Sequence, residues 1–181
     1  MLDAVNQVLE IIGESPVNTL EDTTNVDVLT ALRMLSRIKR TELTKGRVFN
    51  TLRNYTLNPD ATTKRIPWSN LYLYLKGTDG TLYIKQGDYV FNFTDQTNKF
   101  ESPISVEIFM DMDYDNLPEP FKAYIIAHAQ HEFQKSMGSA ELAEAVGYNI
   151  QQAQKALFEY ELSINQPNLL SDGAVAEKRG R

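Results

Sequence analysis

Apolar positions along the chain fall into three successive patterns: helical, alternating, and helical again. Val5, Val8, Leu9 and Ile12 recur at helical spacing and predict a short amphipathic helix. Gly13 suits the left-handed residue that follows such a helix, and Ser15-Pro16 stops it from continuing. A second helix is predicted from a cap near Asn25. Val28, Ala31, Leu32, Leu35 and Ile38 form its apolar face, and Arg33, Arg37 and Arg40 fall largely off that face. Lys39, Arg40 and Lys45 lie in its C-terminal part, where cations suit the helix dipole, and Gly46 can end it.

The period changes over residues 47–113. Leu71, Leu73 and Leu75 alternate with Tyr72 and Tyr74, which predicts a strand. Asp79-Gly80 marks a turn, residues 82–85 a return strand, and Gly87-Asp88 a second turn. Residues 89–93 and 104–109 complete what reads as a meander of short antiparallel strands. Leu117-Pro118-Glu119-Pro120 then opens a helix, with Phe121, Ile125, His128 or Ala129, and Phe133 along one side. Gly138 interrupts it and Ser139 is a fitting cap for the next. Leu142, Val146, Ile150, Ala153, Leu157 and Tyr160 continue as a stripe on that last helix. The expected fold is α+β, a bundle of about four helices interrupted by an antiparallel β-rich insertion. Residues 1–46 and 114–164 make the helical part, 47–113 the insertion, and 165–181 a flexible tail. Neither helical set has much apolar area of its own, so the two are expected to depend on each other.

Composition narrows the function. The chain has 181 residues, 42% apolar and 23% charged, with a formal charge of −6. Before the last residues there is no long run of Lys and Arg, so no grip on phosphates is required. The acidic balance suits solubility, and equally the wall of a passage that DNA slides through without sticking. With no cysteine, disulfides, thiolate catalysis and cysteine-based metal sites are excluded. No apolar run approaches the roughly 20 residues of a membrane helix. The opening Met1-Leu2-Asp3-Ala4 does not read as a secretory leader, so a cytoplasmic origin is expected.

Candidate chemistry is sparse. His128, His131 and Glu132 lie near one helical face but not in the HExxH order, and no third histidine exists. The simpler reading is two partly exposed helical histidines. Asp111, Asp113 and Asp115 alternate like cation ligands, yet the glycine and glutamate of an EF-hand loop are missing, and a solvated connector before a helix is the simpler reading. No nucleophile elbow, Walker sequence or dinucleotide fingerprint occurs. Catalytic, cofactor-binding and metal residues are accordingly all expected to be none. A metal-assisted hydrolase built on Asp111, Asp113, His128 and His131 is the competing enzyme reading, and a DNA-binding packaging factor is another. Tyr72, Tyr74, Tyr83, Tyr89, Phe91 and Phe93 cluster in the β-rich block. With few basic residues among them, core and protein interface is a better reading than base stacking.

An ordered set of segments resembles the head-to-tail adaptor family of short-tailed bacteriophages, the tail tubular protein A family. The opening run from Ala4 through Asn6, Ile11, Ile12, Gly13, Glu14, Pro16 and Val17 to Leu20 is the strongest likeness. Lys45-Gly46-Arg47-Val48-Phe49-Asn50 is similar to an element in which that family carries tryptophan where Arg47 stands. Residues 80–84 and 87–92 resemble its turn-rich insertion, and residues 113–119 its Asp-Tyr-Asp and Leu-Pro-Glu element. The resemblance implies a structural, non-enzymatic adaptor that forms a dodecameric ring between portal protein and tail nozzle protein, with a channel for DNA passage. The expected location is the neck and upper tail of the virion, after assembly from the host cytoplasm. Under it, Val28, Leu32, Leu35, Ile38, Phe121, Ile125, Leu142, Val146, Ile150 and Leu157 are candidates for helical packing or assembly. Tyr72, Tyr74, Tyr83, Tyr89 and Phe91 are candidates for a tail-side surface. Asn165, Leu169, Leu170, Arg179 and Arg181 are candidates for a portal-clasping tail.

Overall fold

The computed structural model describes residues 1–21, 24–136 and 140–165, with the side chains of the last helix described from residue 147. Helices α1 (Leu2–Glu10) and α2 (Val26–Leu43) come first. Strands β1 (Thr51–Leu57), β2 (Tyr72–Gly77), β3 (Leu82–Gln86), β4 (Tyr89–Asn92) and β5 (Ile104–Met110) follow, then helices α3 (Glu119–Ser136) and α4 (Ala140–Ile164). The fold is α+β, and all strand pairings are antiparallel.

Local chemistry sets the helix ends. The Gly13 N–H donates to the Glu10 carbonyl at 3.0 Å and the Glu14 N–H to the Leu9 carbonyl at 3.2 Å. These paired bonds close a Schellman motif, and Gly13 at φ 77° supplies the left-handed residue it needs. Asn25 caps α2: its Oδ1 accepts from the N–H groups of Asp27 at 2.9 Å and Val28 at 3.3 Å. Between the two helices, Asn6 on α1 clamps the connector. Its Nδ2 donates to the Val17 carbonyl at 3.0 Å, and its Oδ1 accepts from the Val17 N–H at 2.9 Å. The cap at Ser139 expected from the sequence lies outside the described residues.

Two clusters of buried side chains form. One joins Val5, Val8 and Leu9 of α1, Val28, Leu35 and Ile38 of α2, Phe121, Ile125 and Phe133 of α3, and Leu157 of α4. Helices distant in sequence thus share one interior. The other gathers on one face of the sheet, from Leu57, Leu75, Tyr83, Val90, Val106 and Ile108, and Ile66 and Phe100 from the loops close it.

The sheet is not a simple meander. Its order is β1-β5-β2-β3-β4, so only β2, β3 and β4 follow one another, and β5 returns to lie between β1 and β2. β1 is also a strand that alternation does not mark. Its register shifts between Leu52 and Tyr55, and Asn54 sits at φ 54°, a bulge that breaks the period of two. The outer side of β4 is partly covered. The Val90 N–H donates to the Ile66 carbonyl at 2.9 Å and the Trp68 N–H to the Asp88 carbonyl at 2.8 Å. Among the described residues, no helix is long and apolar enough to cross a membrane.

Candidate assembly surfaces

The segment after α2 braces the helices to the sheet. Gly46, at φ 75°, leaves no room for a Cβ because the Phe109 ring of β5 lies against it. Asn50 is buried. Its Nδ2 donates to the Leu43 carbonyl at 3.0 Å and to the Met110 carbonyl at 2.8 Å, which ties the end of α2 to the end of β5. Just beyond β5, Asp111 pairs with Lys39 at 2.9 Å and Arg40 at 3.1 Å, and the Lys39 ammonium also donates to the Met112 carbonyl at 2.7 Å. Both chain crossings between helices and sheet are therefore fixed to α2.

Arg47 occupies the centre of this brace. Its guanidinium lies 5.8 Å from the Phe121 ring and 5.9 Å from the Tyr124 ring, so a flat cation fills a place lined by aromatic faces. It bonds Glu42 at 2.6 Å and reaches Glu161 of α4 at 3.4 Å, while Lys45 holds the other Glu42 oxygen at 2.7 Å. Glu42 is only 5% exposed. Burial alone pushes its carboxyl up, but the hydrogen bonds and charges of Lys45 and Arg47 outweigh that and hold it below its ordinary 4.5. Burial, followed by the charge of Glu42, pushes the Tyr124 hydroxyl up from its ordinary 10.0. Sequence reasoning missed Glu42 and Glu161 as partners of Arg47. The nearer of the two stands five residues away, and the farther 114.

Of the candidates for helical packing or assembly, Val28, Leu35, Ile38, Phe121, Ile125 and Leu157 are buried. Leu32 and Ile150 are partly buried against the same cluster, and the side chains of Leu142 and Val146 lie outside the described residues. Among the sheet aromatics, Tyr83 is buried edge-on to Phe100, Tyr72 packs edge-on to Trp68, and Tyr74 stacks on Phe109 at 4.8 Å. Tyr89 lies under Arg65, 5.0 Å from its guanidinium, and Phe91 is half-buried opposite Ile84. Asn165 is exposed, and Leu169, Leu170, Arg179 and Arg181 lie outside the described residues.

The acids and histidines do not converge. Asp111 is taken up by Lys39 and Arg40, and Asp115 by the N-terminus of Met1 at 3.2 Å. Glu132 pairs with Arg37 and stands 3.7 Å from His128 Nδ1. Among the described residues, no group of three or more His, Asp or Glu is placed to hold a metal ion. A surface cleft of about 310 Å³ at the β2–β3 turn is lined by Arg53, Lys76 and Glu107, and Arg53 and Glu107 pair with each other at 3.5 Å.

Among the described residues, large apolar side chains reach solvent at several places, including Val26 on α2, Leu52 and Tyr55 on β1, and Leu71, and two groups stand out. One is the open face of β3 and β4, with Leu82 39%, Ile84 37% and, just after β4, Phe93 58% exposed. The other is α4, where Tyr148 is 62%, Phe158 60% and Leu162 50% exposed. These three share one side of the helix, opposite Ala153 and Leu157. Phe158 and Leu162, four residues apart and off the core stripe, are the signal that was available in the sequence.

The family model described as Tube, tail tubular protein, matches residues 2–167. A curated relative, tail tubular protein A of Klebsiella phage KP34, is 34% identical over 119 residues, which cover 65% of this chain and 62% of that protein. The matched region thus spans less than two thirds of the relative's length. With the match running over nearly its whole length, the chain belongs to the tail tubular protein family of phage tail structural components.

Proposed function

We propose that the protein is a head-to-tail adaptor: copies form a ring between the portal and the tail nozzle and leave a channel through which DNA passes without specific binding. The ring is dodecameric when assembled and sits at the neck and upper tail of the virion. The family match over residues 2–167 carries this reading. The fold supports it, because a ring subunit needs a stiff body with separate surfaces for different neighbours. The brace at Gly46, Arg47, Asn50 and Asp111 supplies stiffness, and apolar side chains stay uncovered on both α4 and the sheet.

In this reading residues 1–46 and 114–164 act as one helical domain that makes the ring and faces the portal. Residues 47–113 are an insertion toward the tail, and residues 165–181 clasp a neighbour or the portal. The tail-side contact is made by Leu82, Ile84 and Phe93 together with Phe91 and Tyr89, since the first three are the exposed ones. A structural role without catalysis follows from the same family. The net charge of −6 suits a channel wall that repels DNA. Native mass spectrometry of the full chain, alone and mixed with purified portal from the same virus, tests the proposal. Rings bound to portal are expected, and failure to bind the portal overturns it.

A further inference from the structure

The two edges of the sheet are finished differently. At the β4 edge, Ile66 and Trp68 bond to the strand and its turn at 2.9 and 2.8 Å. β1 is the other end strand and pairs with β5 on one side only. Among the described residues, residues 52–57 make no backbone hydrogen bond outside that ladder. Such an edge is a row of unpaired donors and acceptors that an extended chain can pair with. Leu52 stands opposite Ile108 and Tyr55 opposite Val106, so the bulge at Asn54 leaves both on the face that holds the buried cluster. Ile66 and Phe100 close that cluster, yet Leu52 stays 42% and Tyr55 46% exposed. The cover over this face ends before it reaches β1.

We infer that residues 168–172 of the same copy add to β1 as a sixth strand. The chain itself delivers them. Glu161, in the last turn of α4, bonds Arg47, and the helix leans on the short turn Val48–Asn50 that leads into β1. The Asn165 N–H still donates to the Glu161 carbonyl at 3.1 Å, but Pro167 cannot prolong the helix. Four extended residues span about 14 Å, so Leu169 is tethered close to the first residues of β1 at high effective concentration. The sequence suits a short edge strand: Leu169-Leu170 lies between Pro167, tolerated at the start of such a strand, and Asp172-Gly173, a turn signal that ends it. Entering at the Thr51 end, the strand runs parallel to β1. Side chains alternate, so one leucine falls beside Leu52 and Tyr55 and extends the buried face, and the other points away. A β1 from a second copy would set one bulge against another, whereas this segment brings an edge of its own. The inference concerns the single copy and does not need the ring. A tail that clasps a neighbour or the portal must first leave β1.

The chain has no cysteine, so every introduced thiol is unique. Two full-length variants test the strand, Leu52→Cys with Leu169→Cys and Leu52→Cys with Leu170→Cys. Both are oxidised at a concentration where native mass spectrometry shows single copies. Because only one of two successive residues shares the face of Leu52, one pair is expected to close its disulfide within the copy about tenfold faster than the other. A tail that merely diffuses near β1 closes both pairs at the same rate. Hydrogen exchange of the β1 amides supplies a second readout. Leu169→Asp with Leu170→Asp is expected to speed it about tenfold relative to wild type. Both positions lie outside the two buried clusters, so thermal unfolding should show this variant folded. Equal closure of the two cysteine pairs, or equal exchange in wild type and the aspartate variant, overturns the sixth strand. Disulfides that form between copies in place of within them put a second copy on β1 and overturn the tail as its occupant.

Discussion

α3 and α4 are consecutive helices packed against each other, yet they handle apolar surface in opposite ways. α3 packs against α1, α2 and α4. It buries Phe121, Tyr124, Ile125, Ala127, Ala129 and Phe133, and no large apolar residue on it is exposed. α4 leans on α3 and the short turn at Val48–Asn50. Of its side chains from residue 147 onward only Leu157 is buried, while Tyr148, Phe158, Leu162 and Ile164 face water. A helix apolar on several sides needs a neighbour for each: α3 finds them within the single copy, and the outward side of α4 does not. α3 therefore belongs to the stability of the single copy, and α4 divides its side chains between that copy and whatever covers it.

The largest effect should come from the interior side of this contrast. Phe133→Ala empties a site with no exposure, and urea unfolding should show a loss of about 4 kcal/mol. Arg47→Met should follow at about 3 kcal/mol, because it leaves the buried Glu42 carboxylate with Lys45 as its remaining ion-pair partner. Adding Glu42→Gln and Glu161→Gln to Arg47→Met should return most of that loss. If the triple variant is as unstable as the single one, packing over Phe121 and Tyr124, and not charge, is what Arg47 supplies.

Residues whose neighbours lie on the same element were legible in the sequence. The faces of α1 and α2, the Asn25 cap and the Gly13 terminus all follow from spacing and local hydrogen bonding. The α+β class was legible too, because the change of period between residues 47 and 113 survives in the structure. What stayed hidden depends on contacts between distant segments. The return of β5 between β1 and β2 needs a pairing of Thr51 with Phe109 that no local pattern encodes. Arg47 looked like a departure from a tryptophan, and only Glu42, Phe121, Tyr124 and Glu161 together explain a cation there. The outward side of α4 was overshadowed by its stronger core stripe.

Gly46→Ala sharpens the comparison from the brace. A side chain at φ 75° is strained, and its Cβ would press on a Phe109 ring already stacked on Tyr74. A loss of about 2 kcal/mol is expected in the same unfolding assay. A smaller effect is expected from acid. The folded-state value of Glu42 is depressed, so its contribution is complete above 4.5 and disappears as pH falls through the depressed value. Melting temperatures measured between pH 7 and pH 3 should therefore fall more steeply for wild type than for Glu42→Gln. Equal slopes would mean that Lys45 and Arg47 stabilise the carboxylate no better than water does.

The smallest expected effect is the most informative about α4. Phe158 is as large as Phe133, but it is 60% exposed, so truncating it removes little buried area from the single copy. Phe158→Ser should change unfolding free energy by no more than about 0.5 kcal/mol, against the several lost at Phe133. Measured at a protein concentration too low for assembly, that near-zero value isolates the single copy. Raising the concentration should then separate wild type from the variant, because stability shared with a neighbour grows with concentration and stability held within one chain does not. A Phe158 variant that is badly destabilised when dilute would place this ring in the interior of the single copy and erase the distinction between the two helices.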